Sequence, residues 1–258
     1  MRAEPERKTM DLKIGGKGAL IVGATGDTGR AVVDLLLAEG ARVVVSSRSR
    51  DRLNQYFASG SSGIAGIVPV DLNDDESISA AVAAAETMLG GVDILICTAA
   101  GDVAYGPIWT LDRTRWMVDL GMKLVGTAQV CVKVAERMAT RKDGVIVNVI
   151  GIATDMVVTN NPVGSAGNSG LKNFTRVLAA ELAQSGIRVI GISPGMIAGQ
   201  RLNRFAGDKI EAIRQTIPIG RIGRPEEYAD VIVFAASPRS SYITGEIITV
   251  DGGLTLVR

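Results

Sequence analysis

Residues 19–40 read ALIVGATGDTGRAVVDLLLAEG, and this stretch decides the fold. A short apolar run passes through glycines at 23, 26 and 29 into a helical pattern that puts Val32, Val33 and Leu36 on one face. Glycine lets a backbone come close to a bulky anion, and the amide N–H groups that begin a helix attract negative charge. Strand, glycine turn and helix, in that order near the N-terminus, form the usual cradle for a dinucleotide pyrophosphate. The spacing departs from G-x-G-x-x-G, and a ligand-free strand-helix turn is the competing reading. The order of elements favours the ligand, with Gly23, Thr25, Gly26, Asp27, Thr28 and Gly29 as candidate contacts.

The same alternation runs outward through the chain. Further short apolar runs lie at 42–46, 64–70, 92–98, 145–149, 188–192 and 247–250. Helical patterns near 29–38, 50–58, 75–89, 111–139, 165–185, 207–216 and 225–236 separate or follow them. Such alternation predicts an α/β fold, a Rossmann-type doubly wound sheet of about seven parallel strands. Of the 258 residues, 47% are hydrophobic but only 4% aromatic, so Ala, Val, Ile and Leu must build the core. That usage suits parallel strands covered on both faces. No composition break marks a linker, so 14–258 reads as a single NAD(P)-binding domain. Residues 1–13, MRAEPERKTMDLK, read as a mobile charged extension without the apolar stretch of a secretory signal. Segment 194–224 has glycines, a short helical pattern and no strand; beyond a strand's carboxyl end, it reads as a lid.

Several function classes are excluded. The net charge is +1 with acids and bases interspersed, which leaves no footprint for nucleic acid or a membrane surface. The chain has no histidine, which removes Ser-His-Asp hydrolysis, Cys-His proteolysis and the common zinc sites. No metal is expected. Cys97 and Cys131 sit far apart in apolar runs, as buried reduced thiols of a cytoplasmic protein would. No apolar run reaches membrane-spanning length.

The second strand ends in ARVVVSSRSRD (41–51). An acid at this point would hold a ribose 2′-hydroxyl, whereas Ser47 and Arg48 suit a 2′-phosphate, so NADP(H) is favoured over NAD(H). A solvated arginine is the plainer reading of Arg48. Asp71, in VDLND with Leu72, either accepts a hydrogen bond from the adenine amino group or caps the helix that follows.

Four further segments carry a family resemblance: TAAG (98–101), VIVNVIG (145–151), ISPG (192–195) and the tail IPIGRIGRPEEYADVIVFAASPRSSYITGEIITVDGG (217–253). From Gly18 to Gly253 the chain resembles the short-chain dehydrogenase/reductase family. Asp27 stands where most single-domain members have a second glycine, so VGATGDTG is similar to the turn of the extended and atypical branches. The resemblance implies an NAD(P)-dependent oxidoreductase that moves hydride between nicotinamide and a carbonyl or alcohol carbon. It also implies a helix-paired homotetramer or homodimer. It adds Ala99, Ala100, Gly101, Pro194, Gly195 and Ile197 to the cofactor contacts.

The resemblance further implies a serine, a tyrosine, a lysine and an asparagine at the reacting oxygen, and here the chain departs. The serine position is Gly151; thirteen residues on, the tyrosine position is Gly164; four further, the lysine position is Asn168. The asparagine position in the preceding helix is Lys123, so lysine and asparagine are exchanged. A lysine in that apolar stretch would be costly to bury without a partner, which points to an inward polar cluster. Snorkelling to the surface is the alternative. Gly199 takes the place of a threonine that would face the nicotinamide amide. The expected site is non-standard, with Lys123, Tyr105, Asn168 and Asp155 as candidate catalytic residues acting on a small carbonyl or alcohol compound. Asp155, Thr154, Asn160 and Asn161 are expected to face one cleft, made roomy and apolar by Gly164, Met156, Val157, Val158 and Pro162. A lyase or isomerase using Lys123 or Asp155, or a silent NADP(H)-binding subunit, remains the alternative.

Overall fold

The computed structural model describes residues 11–57, 63–100 and 104–257. Seven parallel strands form one sheet in the order β3-β2-β1-β4-β5-β6-β7. They are β1 Gly18–Val22, β2 Arg42–Ser47, β3 Ile64–Pro69, β4 Ile94–Cys97, β5 Gly144–Val149, β6 Ile187–Pro194 and β7 Ile247–Val250. Successive strand residues point to opposite faces, so each central strand feeds two cores. Ile21, Val43 and Val45 pack with Val32, Val33 and Leu36 of α1 (Asp27–Ala38) and with Ile232 and Val233 of α9 (Pro225–Ala236). Leu20, Val22 and Val44 pack on the other face with Ile78 and Val82 of α3 (Asp75–Leu89) and Val130 and Val134 of α5 (Thr127–Arg141). Both faces are covered, as the near-continuous apolar strands require.

The remaining helices are α2 (Arg50–Phe57), α4 (Arg113–Leu120), α6 (Pro162–Leu182), α7 (Gln200–Ala206) and α8 (Ile210–Gln215). Three of the expected boundaries need correction. The single helix expected over 111–139 is α4 and α5 joined by a π-helical stretch, Gly121–Gly126. Its two glycines face the loop after β3: a Cβ on Gly126 would strike the Leu72 carbonyl, and one on Gly121 would strike Asn73. In segment 194–224, the helix expected over 207–216 is a short turn at Gly207–Lys209 followed by α8, and α7 precedes it where no helix was expected. Finally, α6 begins at Pro162, a residue preorganised for a first helical position. Position 58 and most of the expected N-terminal extension lie outside the described residues. Asp11, at the edge of that extension, accepts a hydrogen bond through its carbonyl from Arg239 Nε at 2.7 Å.

The glycines that make α6 a poor helix start have a packing role. A Cβ on Gly167 would lie 3.3 Å from Lys123 Cγ, and one on Gly170 would lie 2.7 Å from Leu124 Cδ2. Their absence lets α6 lie close against the π-helical stretch. That contact sets the position of Lys123.

Candidate active site

A cavity of about 650 Å³ opens at the carboxyl ends of the strands, where ligands of open α/β sheets bind. The glycine turn forms one end. Gly23 has φ +93°, and a Cβ there would come within 2.6 Å of the Ala99 amide nitrogen. A Cβ on Gly29 would strike the Gly23 carbonyl and approach Ala24 Cα at 2.9 Å, so this glycine closes the helix onto the strand. Thr25, Gly26, Asp27 and Thr28 line the cavity with them, as do Ser47, Arg48, Asp71, Leu72, Ala99, Ala100, Pro194, Gly195 and Ile197. Gly101 lies outside the described residues. Ser47 is buried, and its hydroxyl oxygen has no hydrogen-bond partner among the described residues. An orphaned hydroxyl beside two cavity-lining arginines, Arg48 and Arg52, fits an incoming phosphate. Asp71 does not cap α3; Asp74 does, accepting from the Glu76 and Ser77 amides.

Asp27 has a role that the sequence did not suggest. Its carboxylate does not occupy the turn: Oδ1 accepts from Arg30 at 2.6 Å and Oδ2 from the backbone N–H of Gln200 at 2.9 Å. The Arg30 guanidinium also lies 4.6 Å from the centre of the Tyr56 ring. The acid therefore ties the start of α7 to the glycine turn. Gly199 makes this possible, with φ +145° and no side chain to collide with Asp27.

At the other end stands Lys123. Lys123 lines the cavity, half-buried, and its ammonium donates to the Val149 carbonyl at 2.8 Å, at the end of β5. Burial, then the nearby Arg201 guanidinium, pull its pKa down from 10.5 to about 8, against a smaller opposing effect of Cys97. The lysine is inward, not snorkelling. Asn168 also lines the cavity, with its amide nitrogen 2.8 Å from where a Cβ on Gly151 would be. Tyr105 lies at the rim; burial pushes its phenol pKa up, and Arg201 only partly offsets this.

Asp155 is not in this cleft, which corrects one expectation. It lines a separate outer groove with Thr154 and Asn160, and it is held by Lys172 and by the Thr154 hydroxyl. Met156, Val157 and Pro162 line that groove as well, so the apolar loop faces outward. Only Ala153, Val158 and Asn161 line both cavities. Sequence reasoning missed Arg201 and Asp119. Asp119 is buried and accepts from the Ala104 backbone N–H, fixing the loop after β4. Its signal was an acid inside the apolar pattern of α4. Among the described residues no cluster of His, Cys, Asp or Glu could hold a metal ion.

A family described as Enoyl-(Acyl carrier protein) reductase matches residues 23–255. The chain belongs to the short-chain dehydrogenase/reductase family. It is 33% identical to cis-4-hydroxycyclohexanecarboxylate dehydrogenase of Sinomonas cyclohexanicum, over 93% of this chain and 96% of that protein. It is 32% identical to 3-oxoacyl-(acyl-carrier-protein) reductase FabG of Thermotoga maritima, over 95% and 100%. The structure of an actinorhodin polyketide ketoreductase variant with NADPH superposes with a TM-score of 0.88 at 27% identity, over 93% of this chain and 97% of that one. This short-chain dehydrogenase/reductase is thus a member of a family of nicotinamide-dependent oxidoreductases. No helix among its described residues is long and apolar enough to cross a membrane.

Proposed function

We propose that this chain is an NADP(H)-dependent oxidoreductase acting on a small carbonyl or alcohol compound, with Lys123 as the proton-handling group of a non-standard site. The observation that carries this is the Lys123 ammonium, enclosed at the substrate end of the cleft with its pKa near 8. A bound dinucleotide supplies or accepts the hydride. Gly23, Gly26 and Gly29 admit its pyrophosphate, and Ser47, Arg48 and Arg52 take the 2′-phosphate. An ammonium has three donors, so a bond to Val149 leaves others for a substrate oxygen. As negative charge grows on that oxygen, Lys123 stabilises it and gives up a proton; in the reverse direction the neutral amine takes the proton back. A pKa near the working pH suits both roles. Tyr105 suits them less, because burial raises its phenol pKa and Arg201 only partly offsets that.

The relatives' names, a hydroxycyclohexanecarboxylate dehydrogenase and a 3-oxoacyl reductase, both place the redox carbon at a ketone or a hydroxyl-bearing carbon. Asp155 lies outside the cleft, which removes one acid from the lyase or isomerase alternative. Exposed Met117 and Val118 on α4, Val125 on the π-helical stretch and Val132 on α5 favour a helix-paired homodimer or homotetramer. Cys97 and Cys131 are both free and buried, as suits the cytoplasm. Fluorescence titration tests the cofactor: NADPH should bind more tightly than NADH, and Arg48→Ala should narrow the gap about tenfold. Tighter NADH binding, or binding of neither, would overturn the reading.

A further inference from the structure

Asn161 breaks a local rule. It occupies the N-cap of α6, where asparagine is among the preferred residues because its side chain satisfies a free amide of the first turn. Here it makes no such bond. The residue is 6% exposed, and its Oδ1 is buried with no hydrogen-bond partner among the described residues. A buried amide of this kind is costly unless something pairs with it.

Its position gives the reason. A Cβ on Gly164 would collide with Asn161 Oδ1 and would lie 3.0 Å from its Cγ and Nδ2. The carboxamide therefore fills the space where a side chain at 164 would begin. The backbone holds it there from both sides. Asn160 has φ +60°, and its carbonyl accepts from the Gly106 N–H at 2.9 Å; Pro162 follows. Asn161 also lies where the cleft meets the outer groove. That groove carries exposed apolar side chains, with Ile108 62%, Trp109 84% and Val157 90% exposed, a grouping that marks a binding surface.

We propose that the Asn161 carboxamide binds the reacting oxygen of the substrate from the place vacated at Gly164, and that this oxygen belongs to a ketone or secondary alcohol whose apolar body lies in the outer groove. This rests on the oxidoreductase reading above. A carboxamide can serve both redox states, donating through N–H to a carbonyl oxygen and accepting through its oxygen from a hydroxyl. It cannot replace the proton transfer, which stays with Lys123. The occupant of the groove is the substrate's own tail, because Ala153, Val158 and Asn161 line both groove and cleft, so a ligand held at Asn161 borders both.

Asn161→Ser and Asn161→Ala separate this role from an effect on the start of α6, because serine is a good N-cap residue but is too short to reach the substrate oxygen. With NADPH and 2-decanone, both variants should lose about 10²-fold in kcat/KM, the usual cost of one hydrogen bond made to a developing oxyanion. Wild-type protein should favour 2-decanone over 2-butanone, and Trp109→Ala should narrow that preference. An Asn161→Ser variant with wild-type kcat/KM would show that the carboxamide does not touch the reacting oxygen and overturn the proposal. A second measurement needs no turnover. 2-Decanol should raise the Tm of the NADP⁺-saturated wild-type protein and leave Asn161→Ser unmoved. An equal rise in both, or none in either, overturns the proposal. A rise confined to wild type without any reduction of 2-decanone leaves Asn161 in place and overturns the redox reading instead.

Discussion

The two ends of the cleft are built by different means. At the glycine turn the contacts are made by backbone, and the decisive feature is side chains that are missing: Gly23 lies against Ala99 and Gly29 against Gly23 and Ala24. At the β5–α6 end they are made by side chains that arrive from elsewhere, Lys123 from the π-helical stretch and Arg201 from α7. A backbone site tolerates few substitutions and so keeps a recognisable sequence. A side-chain site can be rebuilt from neighbouring elements once one position changes. The difference teaches that cofactor binding and chemistry can diverge separately within one sheet.

The largest expected effect breaks one end while sparing the other. Lys123→Met should lower turnover by about 10²–10⁴-fold, the range for a positioned acid, with NADPH affinity unchanged. In wild type, carbonyl reduction should fall as pH rises through about 8, where Lys123 loses its proton, and alcohol oxidation should rise over the same interval. Stability gives an independent check. The folded pKa is depressed from 10.5 to about 8, so below pH 8 folded and unfolded chains both carry the proton and the cost of burying the cation is present in full. Between about 8 and 10.5 the folded chain loses the proton first and that cost is relieved. Lys123→Met should therefore raise the Tm most at pH 7, with a gain that shrinks towards pH 10. A pH-independent Tm difference would mean that the ammonium is solvated.

The converse change attacks the backbone end. Gly23→Ala must accommodate a Cβ at φ +93° and 2.6 Å from the Ala99 nitrogen. Strain of this kind costs about 1–3 kcal/mol, which predicts a Tm lower by several degrees and NADPH binding weakened roughly tenfold or more. Thermal unfolding and fluorescence titration read the two effects separately. Unchanged affinity would show that the turn does not touch the cofactor.

The same contrast explains what was legible in the sequence. The strand-helix alternation, the two-faced core and the glycine turn follow from periodicity and residue size, which act locally along the chain. Cys97, ending β4, and Ser47, ending β2, are placed by the sheet itself, and both were readable. Asp27 was not, because its partner Gln200 is 173 residues away and only the folded chain brings them together. The exchange of Lys123 and Asn168 was visible as residue identities. That Gly167 lets α6 lie close against Lys123, and that Asn161 moves in against Gly164, depend on packing between elements, to which a one-dimensional pattern is blind. Asp155 shows the reverse error. Proximity in sequence to Gly151 and Gly164 suggested the cleft, but the loop turns it outward to Lys172.

The smallest expected effect concerns that residue. Asp155→Asn should leave kcat within about twofold and cost less than about 1 kcal/mol, because partly exposed ion pairs contribute little. Burial works against its charged form, but hydrogen bonds from Lys172 and Thr154 and the charges of Lys172 and Arg176 prevail and hold its pKa below 3.8. A depressed carboxylate stabilises the fold above its unfolded pKa, and that share is lost as pH falls through the folded value. At neutral pH the pair is intact in wild type, and Asn keeps a hydrogen-bond acceptor for Lys172, so little should change. A large loss of kcat with unchanged Tm would place Asp155 in the chemistry after all. It would also mean that the loop between Gly151 and Gly164 turns Asp155 inward during turnover.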